Sequence, residues 1–107
     1  MAATLSPAER SALQALRERV GAALGTELLR MELFGSRARG EGHEDSDLDV
    51  LVVVRTANRA VRHRVLDIAA ELDVQTGLRL SPVVVDAKGL AASPALAGAV
   101  AHEGIPL

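Results

Sequence analysis

The chain has 107 residues, 49% apolar and 24% charged, with a formal net charge of −2, no cysteine and a single aromatic, Phe34. This is a globular balance, with length for one domain, residues 1–107, that buries roughly 65% of its unfolded surface around one core. It excludes a disulfide framework, a zinc–thiolate centre and thiol chemistry, and it argues against a nucleic-acid partner, because neither a basic footprint nor a stacking platform is available.

Met1 to Val20 is not a secretory signal, since Glu9, Arg10, Arg17, Glu18 and Arg19 interrupt any apolar core. No apolar run reaches the length of a membrane span. The expectation is a cytoplasmic protein with no membrane partner. Ser6-Pro7-Ala8-Glu9 is a helix start: Ser6 as N-cap, Pro7 at N1 and Glu9 closing a capping box. Leu13, Leu16, Val20 and Leu24 then recur on one helical face, and Gly25 ends the helix.

Glu27 to Phe34 reads as a first strand, with Leu29, Met31 and Leu33 on one side and Leu28, Arg30, Glu32 and Phe34 on the other. Asp47 to Val54 reads as a second, apolar on both faces past Asp49, which marks a central strand covered on both sides. Thr56 or Asn58 caps a second helix with Val61, Val65, Ile68 and Leu72 as its buried stripe, ending near Gly77. Arg59, Arg62, His63 and Arg64 crowd its first half; they read as a solvated face, or as a docking surface for an acidic partner. Leu78 to Asp86 is a third strand, at an edge or bulged because Pro82 lacks an N–H. Asp86 can cap a short turn of helix through Leu90. Ser93-Pro94 opens a last helix that runs to about Glu103, with Leu96 and Val100 inward and Gly104 closing it.

The resulting order is α-β-β-α-β-α. A short link joins strands one and two, which suits an antiparallel pair, and a helical crossover joins two and three, which suits a parallel one. The fold class is α/β of the α+β type: a small mixed sheet covered by helices.

The chemistry concentrates between Leu33 and Val54, LFGSRARGEGHEDSDLDVLVVV. Asp47 and Asp49 lie two apart on a strand and share a face. Two adjacent carboxylates repel unless a cation lies between them, and oxygen-only ligands suit Mg²⁺ or Mn²⁺. At the other end of the loop, Gly35 admits close approach of the backbone to a ligand, and Ser36 offers a hydroxyl. Arg37 and Arg39 offer fork-shaped donors that match phosphate, and a helix opening at Ser36 would add N–H groups. A phosphate cradle facing a metal-binding pair suits a metal-chelated nucleoside triphosphate. His43, with Glu44 and Asp45, reads as a solvated loop histidine; His63 and His102 are isolated.

G-S, ten residues, then D-x-D between two strands resembles the signature of the DNA polymerase beta-like nucleotidyltransferases. The fuller run GSRARG…SDLDVLVV resembles their minimal nucleotidyltransferase (MNT) branch. The resemblance implies the nucleotidyltransferase fold, with Asp47 and Asp49 as metal ligands. It implies that Gly35 and Ser36 hold the phosphates with Arg37 or Arg39 assisting, and that a nucleoside monophosphate passes from ATP or another nucleoside triphosphate to a hydroxyl. It implies a small helical HEPN-type partner protein, a toxin inactivated by AMP on a tyrosine, with this chain as antitoxin. The family adds a third carboxylate on a neighbouring strand, in a V-D-x-V stretch. Aligned on Leu80-Ser81-Pro82-Val83-Val84-Val85-Asp86, that position falls at about Pro82 or Val83, neither of which can serve. Asp86 is the remaining candidate for the catalytic set, beside its reading as a helix cap. The alternative function is a partner-binding module that neutralises by contact through a weakened site. A small-molecule transferase ranks last, since no second domain is present to hold such an acceptor.

Overall fold

The computed structural model describes residues 5–40 and 47–107. His43, Glu44 and Asp45 lie outside the described residues.

Helix α1 spans Pro7–Leu24. Its capping box is formed: the Glu9 N–H donates to Ser6 Oγ at 3.1 Å, and the Ser6 N–H donates to Glu9 Oε1 at 2.8 Å. A single turn of tighter helix, Gly25–Glu27, leads into strand β1, Leu28–Phe34. A four-residue helix α2, Ser36–Arg39, follows at once. Strand β2 is Leu48–Val54 and helix α3 is Arg59–Thr76. Asn58, not Thr56, caps α3, through its side-chain oxygen to the Val61 N–H at 2.9 Å. Strand β3 is Leu80–Val85, α4 is Ala87–Ala91, α5 is Pro94–Glu103, and a two-residue strand β4, Ile105–Pro106, closes the chain.

The sheet runs β3-β2-β1-β4, with β1 antiparallel to β2 and to β4, and β2 parallel to β3. It is the mixed sheet expected, with Pro82 on the edge strand, where its missing N–H costs no ladder bond. On one face α1 and α3 bring Leu13, Leu16, Val20, Val65, Ala69 and Leu72 against Met31, Leu33, Val50, Val52 and Val54. On the other, α4 and α5 cover Leu51 and Val53 with Leu90, Leu96 and Val100. Every β2 residue but Asp49 is buried, as a central strand covered on both faces requires. Among the described residues no helix is long and apolar enough to cross a membrane.

Two features depart from the sequence reading. The β1–β2 register shifts between Leu28, opposite Val54, and Arg30, opposite Val53. The bulge leaves Leu29 49% exposed while Leu28 packs on the core, so of the row Leu29, Met31 and Leu33 only the last two are buried. Strand β4 was not expected: two residues carry no periodicity, and Pro106 has no donor. It pairs Ile105 with Leu33 and Pro106 with Glu32. Glu32 is itself almost buried. Its Oε2 stands 3.2 Å from Arg30 Nη1 without the alignment of a hydrogen bond.

Candidate active site

The Leu48 N–H donates to the Arg79 carbonyl at 2.9 Å, which anchors the start of β2 to the start of β3. Leu48 is buried towards α1 and α3, so its neighbours Asp47 and Asp49 turn to the α5 side. The Asp47 side chain is half exposed and Asp49 is partly buried. Across the sheet Asp49 is paired with Phe34, the last residue of β1. The next residue, Gly35, has φ 81° and ψ −164°, a backbone conformation that only glycine adopts without strain. A Cβ added there would lie 2.3 Å from Asp49 Oδ2. The glycine of the G-S pair is therefore the surface on which the second acid rests. Ser36 and Arg39 open and close α2 directly beyond it, with the Ala38 and Arg39 N–H groups folded back onto the Gly35 carbonyl at 3.1 and 3.2 Å.

The charge around this contact is mostly negative. Burial, then the carboxylates of Asp47 and Glu103, raise the Asp49 pKa above its ordinary value. Two arginines stand against these acids: Arg79 Nε lies 3.6 Å from Asp47 Oδ1, and Arg39 Nη1 lies 2.6 Å from Glu103 Oε2. Two neighbouring carboxylates, one half exposed with an arginine on its outer side and one half-sheltered, fit a hard divalent cation whose other ligands come from a nucleotide and water. Among the described residues no group of three or more acids, histidines or cysteines is set to hold a metal.

Arg37 is not available to a phosphate. Its side chain is 5% exposed, and its guanidinium forms a two-pronged ion pair with Glu9 of α1, Nη2 to Oε1 at 2.8 Å and Nη1 to Oε2. The expected nucleotide contact is thus corrected to a structural one: the residue after Ser36 points inward and ties α2 to α1. Burial works to raise the Glu9 pKa, but the Arg37 bonds and the Ser6 N–H outweigh it and hold the carboxyl below its usual range.

Asp86 is also corrected. The parallel register sets Asp49 beside Ser81 and Val53 beside Val85. Asp86 follows at the far end of β3, about 16 Å of strand beyond Ser81. There it caps α4, accepting from the Gly89 N–H at 2.9 Å, and its other oxygen accepts from the Ala57 N–H at 3.1 Å. These backbone donors hold its pKa below the usual range. The position beside Asp49 belongs to Ser81, so β3 supplies no carboxylate to the pair. The Arg59–Arg64 stretch lies at this far end too, because α3 returns antiparallel to β2 and its first half is about 18 Å of helix from its C-terminus.

Sequence reasoning missed Glu103. It is far in sequence from the acids and reads only as a helix end. Glu9 had a visible signal, the capping box, but that motif does not show a second partner. The residue opposite Asp49, Ser81, is known only from the β2–β3 register, which sets Pro82 opposite Val50 and Val83 opposite Leu51.

The nucleotidyltransferase domain family model matches residues 10–91. A candidate protein adenylyltransferase of Methanocaldococcus jannaschii is 41% identical over 69 residues, covering 62% of this chain and 47% of that protein. The chain thus spans about half the length of that relative. Among solved structures, a candidate minimal nucleotidyltransferase superposes with a TM-score of 0.57 at 36% identity, covering 91% of this chain and 94% of the other. A variant of the toxin–antitoxin pair MntA–HpeT superposes with a TM-score of 0.61 at 26% identity, covering 97% of this chain and 72% of that one. With the G-S turn seated on the D-x-D strand and most of its length matched, this chain belongs to the nucleotidyltransferase domain family, in its minimal form.

Proposed function

We propose that this chain moves AMP from ATP onto a hydroxyl of a partner protein. We further propose that the partner is a small helical HEPN-type toxin, with this chain as its antitoxin. The observation that carries the reading is the contact between Gly35 and Asp49, which brings the turn suited to phosphate against the acid suited to metal. The curated relative named as a protein adenylyltransferase and the structural relative from a toxin–antitoxin pair support the choice of acceptor. The cytoplasm, where nucleoside triphosphates are held, is the compartment this reading requires.

Asp47 and Asp49 would hold Mg²⁺ or Mn²⁺, which when bound neutralises phosphate charge and aligns the displacement. The chain's own residues have separate tasks. Gly35 lets Asp49 rest against the turn, Ser36 donates its hydroxyl to a phosphate oxygen, and Arg39 adds charge-assisted donors. Asp49, sheltered between Phe34 and Gly35, keeps its carboxylate in one place. The acceptor oxygen forms its bond to the α-phosphorus as the bond to the β-phosphate oxygen breaks, pyrophosphate leaves, and the hydroxyl proton passes to water. A partner that supplies its own docking surface removes the need for a second substrate pocket in a domain of this size.

A second reading is favoured by one observation: β3, the strand beside Asp49, sets Ser81 opposite it and carries no acid along its length. In that reading the chain neutralises its partner by contact, with transfer weakened or lost. Co-expression with the neighbouring gene product, followed by intact-mass spectrometry, separates the two. The transferase adds one or more AMP units to the partner, and Asp47→Asn abolishes the gain. A stable complex without a mass gain favours contact alone, and neither complex nor gain removes both.

A further inference from the structure

Helix α5 lies beyond residue 91, where the family match ends, so the matched segment assigns its last residue no part in the site. Glu103 nevertheless faces the candidate active site. Its side chain is 13% exposed and its Oε2 accepts from Arg39 Nη1 at 2.6 Å, across 64 positions of sequence. Arg39 ends the short helix whose N-cap is Gly35, and its N–H is bonded to the Gly35 carbonyl. The Glu103 carboxylate thus joins the end of α5 to the turn on which Asp49 rests.

Stability alone does not explain that placement. The carboxylate is largely withdrawn from water, which is unfavourable, and its charge adds, after burial and Asp47, to what disfavours the Asp49 carboxylate. A half-exposed arginine partner returns little of this cost in a purely structural role. Groups set against local stability belong, as a rule, to functional sites. The guanidinium is planar with donors on more than one edge, so it can meet a carboxylate on one side and a phosphate on another. An arginine already fixed in its bound orientation loses less freedom when the phosphate arrives.

We infer that Glu103 is a positioning residue: it fixes the Arg39 guanidinium beside the Gly35–Asp49 contact, in the orientation that receives the triphosphate. The inference rests on the reading of that contact as the nucleotide site. It makes α5, which no part of the G-S…D-x-D motif includes, a determinant of nucleotide affinity.

The test is calorimetric titration of the full chain with Mg²⁺ and a non-hydrolysable ATP analogue. It compares wild type, Glu103→Gln, Arg39→Gln and the double variant, with melting curves alongside. Glu103→Gln is expected to weaken analogue binding about three- to tenfold, the cost of immobilising one long side chain, with a melting temperature equal to or above that of wild type. In the Arg39→Gln background the same change is expected to have no further effect, because there is no guanidinium left to position. A merely structural glutamate would lower the melting temperature and add its effect to that of Arg39→Gln. Glu103→Asp retains the charge, and so carries the test if Glu103→Gln does not fold; its smaller loss is expected to vanish in the same background. Wild-type binding with unchanged affinity in Glu103→Gln, or additive losses in the cycle, overturns the inference and leaves the nucleotide site standing. Absence of any analogue binding by wild type overturns both.

Discussion

Replacing Glu9 should damage this protein more than any exposed substitution. Its carboxylate meets both terminal nitrogens of Arg37, with the two side chains 4% and 5% exposed. Glu9→Ala breaks a buried, two-pronged ion pair from one side, which costs about 3–5 kcal/mol. A domain of this size has about 5–15 kcal/mol in total, and each kcal/mol moves the melting point by about 4–8 °C. The expected fall is therefore about 12–40 °C, read by circular dichroism on heating and checked by urea titration. Glu9→Gln keeps the oxygen that the Ser6 N–H needs, so it isolates the loss of the ion pair from the loss of the cap. The double replacement Glu9→Leu with Arg37→Met removes both charges and should recover most or all of the wild-type stability. The pH dependence has a definite sign. Since the folded state holds the Glu9 pKa below its ordinary 4.5, its contribution is whole above that value and is lost as pH falls through the lower folded value. The stability gap between wild type and Glu9→Gln should narrow on acidification from pH 5 downward. A Glu9→Ala protein within about 1 kcal/mol of wild type would refute the assignment of Arg37 as a buried structural cation.

Asp47→Asn and Asp49→Asn should each weaken Mg²⁺-dependent ATP binding in calorimetry while the fold survives; equal affinities in all three proteins would remove the metal site. Without metal, Asp49→Asn should raise the melting temperature, because burial and the charges of Asp47 and Glu103 disfavour the carboxylate it removes; a fall would contradict that electrostatic reading. Gly35→Ala should cost about 1–3 kcal/mol for the backbone conformation and also displace Asp49, so that ATP affinity falls with stability; unchanged binding would separate the turn from the site. Asp86→Ala should cost about 0.5–2 kcal/mol for the lost cap and leave nucleotide binding intact, a split that melting curves and calorimetry on one variant resolve.

The sheet and its helices were legible because the signals that encode them are local. The capping box of α1, the 3.6-residue stripes of α1 and α3 and the two-faced apolar run of β2 each state their own environment. The G-S and D-x-D pairs were legible by spacing, and their contact through Gly35 is one that a strand-loop-strand reading anticipates. What was not legible depends on pairings distant in sequence. Nothing near Arg37 reveals that a glutamate 28 positions earlier occupies its fork. The side of the sheet end on which Asp86 falls is decided by register, and a parallel pair has no hairpin turn to announce it. Leu29 reads as sharing a face with Met31 and Leu33 until a register shift, set by how β1 meets the end of β2, turns it out.

The burial of β2 on both faces has a consequence for time rather than for energy. A strand paired on both edges and covered on both faces opens only when the whole domain does, so its amides should be the slowest to exchange with deuterium. Asp49 belongs to that strand, whereas Ser36 and Arg39 belong to a four-residue helix at the surface. The two halves of the site therefore keep different clocks. The acid holds its place for as long as the domain stays folded, and α2, tied to α1 through the buried Arg37–Glu9 pair, can leave it only at the cost of that pair.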